Sequence, residues 1–207
     1  MNVRKKLLVY TQDQGGTRYL LPIIQLMEQK LSLYVALYVN HAHSYDLIPS
    51  AVREKSILSV VSSSMSIQEW ERLLVKHEVD AVLCTLSSTK LDLSNANLIV
   101  AAKAKRMPTL GFLDHWKGYD RFLNSEGKPE YSPDWLGVID DCCAQNVRQH
   151  EIPVERIEVV GHPWLEWVAD NSRKPVAFNR ECARIVIISQ PDTTDSSFNS
   201  IFCRISN

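Results

Sequence analysis

Leu7-Leu8-Val9-Tyr10-Thr11-Gln12-Asp13-Gln14-Gly15-Gly16-Thr17-Arg18 joins an apolar run to a glycine-containing polar loop and the start of a helix pattern. A short apolar run rich in branched and aromatic side chains is a strand signal, and it ends here in the polar loop Gln12 to Gly16. From Thr17 onward Leu20, Leu21, Ile24, Leu26 and Met27 recur at helical spacing and form one apolar face. Pro22 falls early in that expected helix, where a missing N–H does less damage than in the middle. Strand, glycine turn and helix in that order make the first βα unit of a parallel sheet.

The alternation of strand and helix patterns continues along the chain. Leu33 to Val39 reads as a second strand, followed by a loop from Asn40 to Ser50, and Ser56 to Ser62 as a third. Ser66 caps a helix through Trp70, Leu73 and Leu74 to Glu78. Ala81 to Thr85 is an uninterrupted apolar run, as a strand buried on both faces requires. A helix from about Leu93 to Arg106 follows, with cations near its C-terminus to complement its dipole. Thr109 to Leu113, Trp135 to Ile139 and Arg156 to Val160 read as further strands, with a helix over Asp140 to His150 and a short one through Trp164 and Trp167. This spacing predicts a doubly wound, mostly parallel Rossmann-like α/β sheet of six or seven strands.

The pattern breaks into a polar segment containing Pro175. Residues 1–171 are therefore expected to form one domain and 172–183 a linker. Arg184 to Ser189 is a fresh apolar strand, while Asp192 to Asn207 is polar and without periodicity. One new strand cannot make a domain. Residues 184–207 read as the truncated start of a second domain or a poorly ordered tail, with a strand added to the first sheet as the alternative.

Composition bounds the function. The formal net charge of −1 leaves no general electrostatic attraction to nucleic acid or an anionic membrane. The basic N-terminus precedes an apolar run too short for a signal peptide, and the longest apolar stretch, Leu31 to Val39, falls far short of the roughly 20 residues that span a bilayer. The five cysteines have neither paired nor metal-ligand spacing, so reduced thiols, a cytoplasmic location and no metal are expected. His41 and His43 have no carboxylate or thiolate near them in sequence and read as loop residues.

In open α/β sheets ligands bind beyond the carboxyl ends of the strands, which nominates three loops. The first is Asp13, Gly15, Gly16 and Thr17, where glycines let the backbone approach a ligand and a helix N-terminus offers N–H donors; two glycines making a tight turn is the structural alternative. It has neither the dinucleotide glycine spacing nor a P-loop lysine. The second carries Asp114, His115, Trp116, Tyr119, Arg121 and Phe122. His115 is a candidate general base held by a carboxylate, and Trp116 and Tyr119 are candidate stacking surfaces for a sugar or base. Equally, Trp116 and Phe122 can anchor a long loop that an Asp114–Arg121 pair holds in place. The third is Gly161-His162-Pro163, where Gly161 permits close approach and a helix begins near Pro163. Asp140 and Asp141 end another strand and are a candidate carboxylate cluster, although Asp141 as readily suits a helix N-cap.

The Gly15-Gly16 turn with Pro22, the segment from Leu113-Asp114-His115-Trp116 to Arg121-Phe122, and Arg156 to Pro163 together resemble the N-terminal half of GT-B-type glycosyltransferases and related surface-polysaccharide biosynthesis proteins. The likeness runs over about residues 5 to 190. It implies two Rossmann-like domains facing across a cleft, the first holding a sugar or glycolipid acceptor and the second a nucleotide-sugar donor. Arg184 to Gln190 resembles the first strand of the donor domain, so nucleotide-sugar binding is expected only with a second domain or chain, and no cofactor is expected. Asp114, His115 and His162 are the catalytic candidates; Asp13, Gly15, Gly16, Thr17, Trp116, Arg121 and Gly161 are the ligand-binding ones. A non-catalytic remnant or binding module, and a nucleotide-sugar epimerase relative, are the alternatives.

Overall fold

The computed structural model describes residues 5–30, 33–39, 45–55, 57–60, 64–90 and 92–171. The expected linker, the strand at 184–189, the polar tail, and His41 and His43 lie outside the described residues.

Among the described residues seven strands form one parallel sheet: β1 (Lys5–Thr11), β2 (Leu33–Val39), β3 (Ile57–Val60), β4 (Ala81–Thr85), β5 (Thr109–Leu113), β6 (Trp135–Val138) and β7 (Arg156–Val159), in the spatial order β3-β2-β1-β4-β5-β6-β7. Helices connect them: α1 (Gln14–Lys30), α2 (Ser50–Lys55), α3 (Ile67–Lys76), α4 (Ser94–Ala104), α5 (Asp141–Gln149) and, after β7, α6 (Pro163–Asn171). The expected doubly wound sheet is therefore present.

Side chains alternate across a strand, so each strand feeds two cores. Leu7 and Val9 of β1 and Leu83 of β4 pack with Tyr19, Leu20 and Ile24 of α1 and with Val52 of α2. Leu8, Tyr10, Val82 and Cys84 face the other way, onto Trp70 and Leu74 of α3, Leu98 and Ala102 of α4, and Val147 of α5. Tyr10 and Trp70 meet edge to face at 5.0 Å. Burial pushes the Cys84 thiol up to about 12, so it is packing material rather than a reactive group.

Four local readings change. Helix α1 starts at Gln14, so Gly15 and Gly16 are helical rather than a turn. The reason is Asp13, whose Oδ1 accepts from the Gly16 N–H at 2.7 Å while its carbonyl accepts from the Thr17 N–H at 2.9 Å. The earlier start also makes Pro22 a mid-helix residue, leaving the Arg18 carbonyl without its helical donor. Ser50–Lys55, read as the end of a loop and its aftermath, is helix. Asp140 rather than Asp141 caps α5, its Oδ1 accepting from the Cys143 N–H at 2.8 Å.

Candidate functional site

Strands β1 and β4 are neighbours at the centre of the sheet. From β1 the chain proceeds to β2 and β3 on one side; from β4 it proceeds to β7 on the other. The loops leaving their carboxyl ends therefore part, and the crevice between them is where ligands bind in sheets of this kind. Here it is an open cavity of about 920 Å³. Gln12 and Asp13 contribute from β1, Ser87 to Lys90 from β4, Ser64 to Ser66 from the approach to α3, Asp92, Leu93 and Asn97 from the start of α4, and Arg121 from the loop after β5.

Asp13 ties the two central strands together. Its Oδ1 caps α1, and its Oδ2 accepts from Ser87 Oγ at 2.8 Å. Gly16 allows this closeness, since a β-carbon there would stand 2.4 Å from Thr85 Oγ1. Thr17 is buried in the start of α1; its Oγ1 donates to the Asp13 carbonyl at 2.7 Å and lies 2.8 Å from Thr11 Oγ1. A β-carbon on Gly15 would meet Asp13 Oδ1 at 3.2 Å and Asp114 Oδ2 at 3.8 Å, so two carboxylates flank the helix N-terminus. The positive end of the helix is thus already complemented by the chain's own acids. An incoming anion there would face them.

The loop after β5 is stapled to β4. Arg121 Nη1 donates to the Leu86 carbonyl at 2.6 Å and to Asp114 Oδ1 at 3.2 Å. Asp114 thus turns to Arg121. His115 is exposed, its Nδ1 accepting from the Lys117 N–H at 3.1 Å. Trp116 Nε1 donates to Asp140 Oδ2 at 2.7 Å, and the Tyr119 hydroxyl donates to the Trp116 carbonyl at 3.1 Å. The Tyr119 ring stacks on His150 at 4.5 Å, and Phe122 is buried. The Trp116 donor and the Cys143 N–H hold the Asp140 carboxyl below the usual range. These contacts are those of an anchored loop.

Gly161 has φ +74°, and its carbonyl accepts from the Tyr19 hydroxyl at 3.0 Å. Burial pushes the Tyr19 phenol up, keeping it a neutral donor. His162 lies edge-on to the same ring at 4.9 Å, and its Nδ1 accepts from the Leu165 N–H at 3.4 Å.

All three nominated loops leave carboxyl ends of parallel strands and so share one edge of the sheet. Of the nominated residues, Asp13 and Arg121 line the crevice, with Gly15 and Asp114 beside them. His115, Trp116, Gly161 and His162 do not line it. Sequence reading passed over Gln12 and Ser87-Ser88-Thr89-Lys90. The second stretch directly follows a strand, but only the pairing of β4 with β1 makes that strand end the important one. Both cations here have an acidic neighbour: Lys90, exposed, stands 3.6 Å from Asp120, and Arg121 pairs with Asp114 at 3.2 Å while its Nε stays unpartnered among the described residues. Among the described residues no three His, Cys, Asp or Glu side chains gather as a metal site would require. No helix of the described residues is long and apolar enough to cross a membrane.

No protein-family model matches this chain, and no curated protein matches it. Solved structures do. UDP-GlcNAc 2-epimerase from Neisseria meningitidis, bound to UDP-GlcNAc, is 16% identical over 81% of this chain and 51% of its own, with a TM-score of 0.57. The S. aureus MnaA–UDP structure is 15% identical over 83% of this chain and 49% of its own, with a TM-score of 0.60. Another UDP-N-acetylglucosamine 2-epimerase is 12% identical over 85% of this chain and 53% of its own, also at 0.60. The chain spans about half the length of these structures. At such identities the likeness is one of fold: a GT-B-like Rossmann domain.

Proposed function

We propose that residues 1–171 form the acceptor-side wall of a GT-B-type active site, in a protein of sugar-nucleotide or glycan biosynthesis that transfers a glycosyl unit from a nucleotide-sugar to a sugar or glycolipid. The observation that carries this reading is the crevice at the β1–β4 switch point. It is lined by Gln12, Asn97, Asp13 and a series of serine and threonine hydroxyls, and each of its two cations has an acidic neighbour. Such a surface suits a neutral polyhydroxylated ligand better than a pyrophosphate, because unengaged cations or free helix N–H groups would be needed for the latter. The phosphates of a donor then fall to a second domain, beyond a linker at 172–183, or to a second chain.

In this reading Asp13 accepts hydrogen bonds from ligand hydroxyls, and Arg121 holds Asp114 at the crevice edge. Asp114, His115 and His162 are acid–base candidates for a cleft completed by the opposite wall, since all three stand on the edge of the sheet that such a wall would cover. A second reading, epimerisation of a nucleotide-sugar, draws support from the solved epimerases that share the fold; product analysis separates it from transfer.

The test is calorimetric titration of the 207-residue protein with N-acetylglucosamine, UDP and UDP-GlcNAc. Saturable binding of the sugar, weakened about tenfold or more in Asp13→Ala, supports the reading. Binding of UDP but of no sugar would reverse the assignment of the two walls.

A further inference from the structure

We infer that Gln12 is a specificity residue of this crevice, presenting its side-chain NH2 to a sugar oxygen while its own carbonyl is held from behind. Gln12 follows β1 directly, is 6% exposed and lines the cavity. By strand alternation it continues the row of Leu8 and Tyr10, the face that meets α4. There its Oε1 accepts from Asn95 Nδ2 at 2.8 Å, and Asn95, in the first turn of α4, is itself 3% exposed. Among the described residues Gln12 Nε2 has no hydrogen-bond partner.

Position 12 needs an apolar side chain if it only packs, as Leu8 and Tyr10 do. A glutamine with one end anchored and the other at the wall of the open crevice instead keeps a donor in a fixed position, ready for a ligand oxygen. The orientation of the pair supports this. As it stands, one carbonyl, Asn95 Oδ1, is left unpartnered in the core. Turning both amides round would instead leave the Asn95 NH2 without an acceptor, and orphaned buried donors are rarer than under-satisfied carbonyls.

Gln12 and Asp13 then offer the crevice a donor and an acceptor side by side. Asp13 Oδ2 takes one hydrogen bond from Ser87 and retains capacity for more. A donor next to an acceptor complements two neighbouring hydroxyls, one accepting and one donating. A phosphate, which only accepts, would gain from Gln12 and be repelled by Asp13. The ligand group assigned to this spot is therefore a vicinal diol of a pyranose. The inference rests on the sugar-side reading above.

The experiment uses the 207-residue protein with N-acetylglucosamine as probe. In the wild type, the Gln12 side-chain amide resonances should shift on titration with the sugar. The double variant Gln12→Met with Asn95→Leu removes both partners of the buried bond, which avoids stranding either, and should bind the sugar about tenfold more weakly. Gln12→Glu, which keeps an acceptor for Asn95 but loses the donor, should also weaken it. Thermal melts establish that each variant is folded. Folded variants that bind within about twofold of wild type, or Gln12 amide signals that stay still while the sugar saturates, would overturn the role of Gln12 and leave the sugar-side reading standing. A wild-type protein that binds no N-acetylglucosamine overturns that reading and this inference with it.

Discussion

At position 16 a β-carbon would stand 2.4 Å from Thr85 Oγ1 and 2.9 Å from Thr85 Cβ, closer than real side chains come. The glycine therefore lets α1 begin directly against the end of β4, and so brings Asp13 within reach of Ser87. Gly16→Ala is expected to destabilise the protein by about 1–3 kcal/mol, the usual cost of overpacking a tight contact. Thr85 Oγ1 is buried without a partner, so Thr85→Ala removes the nearest clashing atom and strands nothing. The double variant should recover part of the loss, measured by urea denaturation. Equal and additive losses in the two single variants would show that the contact does not limit the packing. From sequence Gly15 and Gly16 looked alike. Only the neighbour across the sheet distinguishes them, because Gly15 would meet the far ends of side chains and Gly16 the root of one.

Among the elements, α3 was legible and the loop after β5 was not. Ser66 Oγ accepts from the Glu69 N–H at 3.3 Å while Glu69 Oε2 accepts from the Ser66 N–H at 2.8 Å, a reciprocal cap whose members lie three residues apart. The loop from Asp114 to Phe122 instead depends on Asp140, which caps α5 with one oxygen and holds Trp116 with the other, 24 residues away in sequence. The two readings of Trp116, stacking surface or anchor, differ only in that long-range contact. Asp140 has its folded pKa lowered from the ordinary 3.8. Its contribution to stability is thus fully present above that value and is lost as pH falls through the lower folded one. Thermal melts of wild type and Asp140→Asn should differ at neutral pH and converge as the pH falls below 3.8. A gap that persists unchanged in acid would mean that the ionised carboxylate is not what holds the loop.

At the scale of the molecule, one wall of a cleft positions half of a reaction. Holding both reactants in attack geometry is worth about 7–11 kcal/mol, and under the proposed function residues 1–171 hold the acceptor alone. The 207-residue chain is therefore expected to bind N-acetylglucosamine without transferring sugar from labelled UDP-GlcNAc, until a second wall is supplied. Turnover by this chain alone would place the donor site within it and refute the division of labour; binding with no turnover even beside a second wall would favour a plain binding module. In the amino-acid sequence itself, side-chain periodicity was enough to read the seven strands of the sheet, most of its helices and the parallel, doubly wound class. Those follow from side-chain periodicity and from caps, whose causes lie within a few residues. The sequence also pointed to the sheet edge at which the crevice opens, and to Asp13 and Arg121 among the residues that line it. The tertiary structure alone decided that β4 lies beside β1, and hence that Ser87 meets Asp13 across 74 positions of sequence. It alone chose the Asp114–Arg121 pair over a free Asp114 beside His115, and backed Gln12 with Asn95. Strand order and contacts between distant side chains come from how several apolar faces are buried at once, and no local pattern encodes that choice.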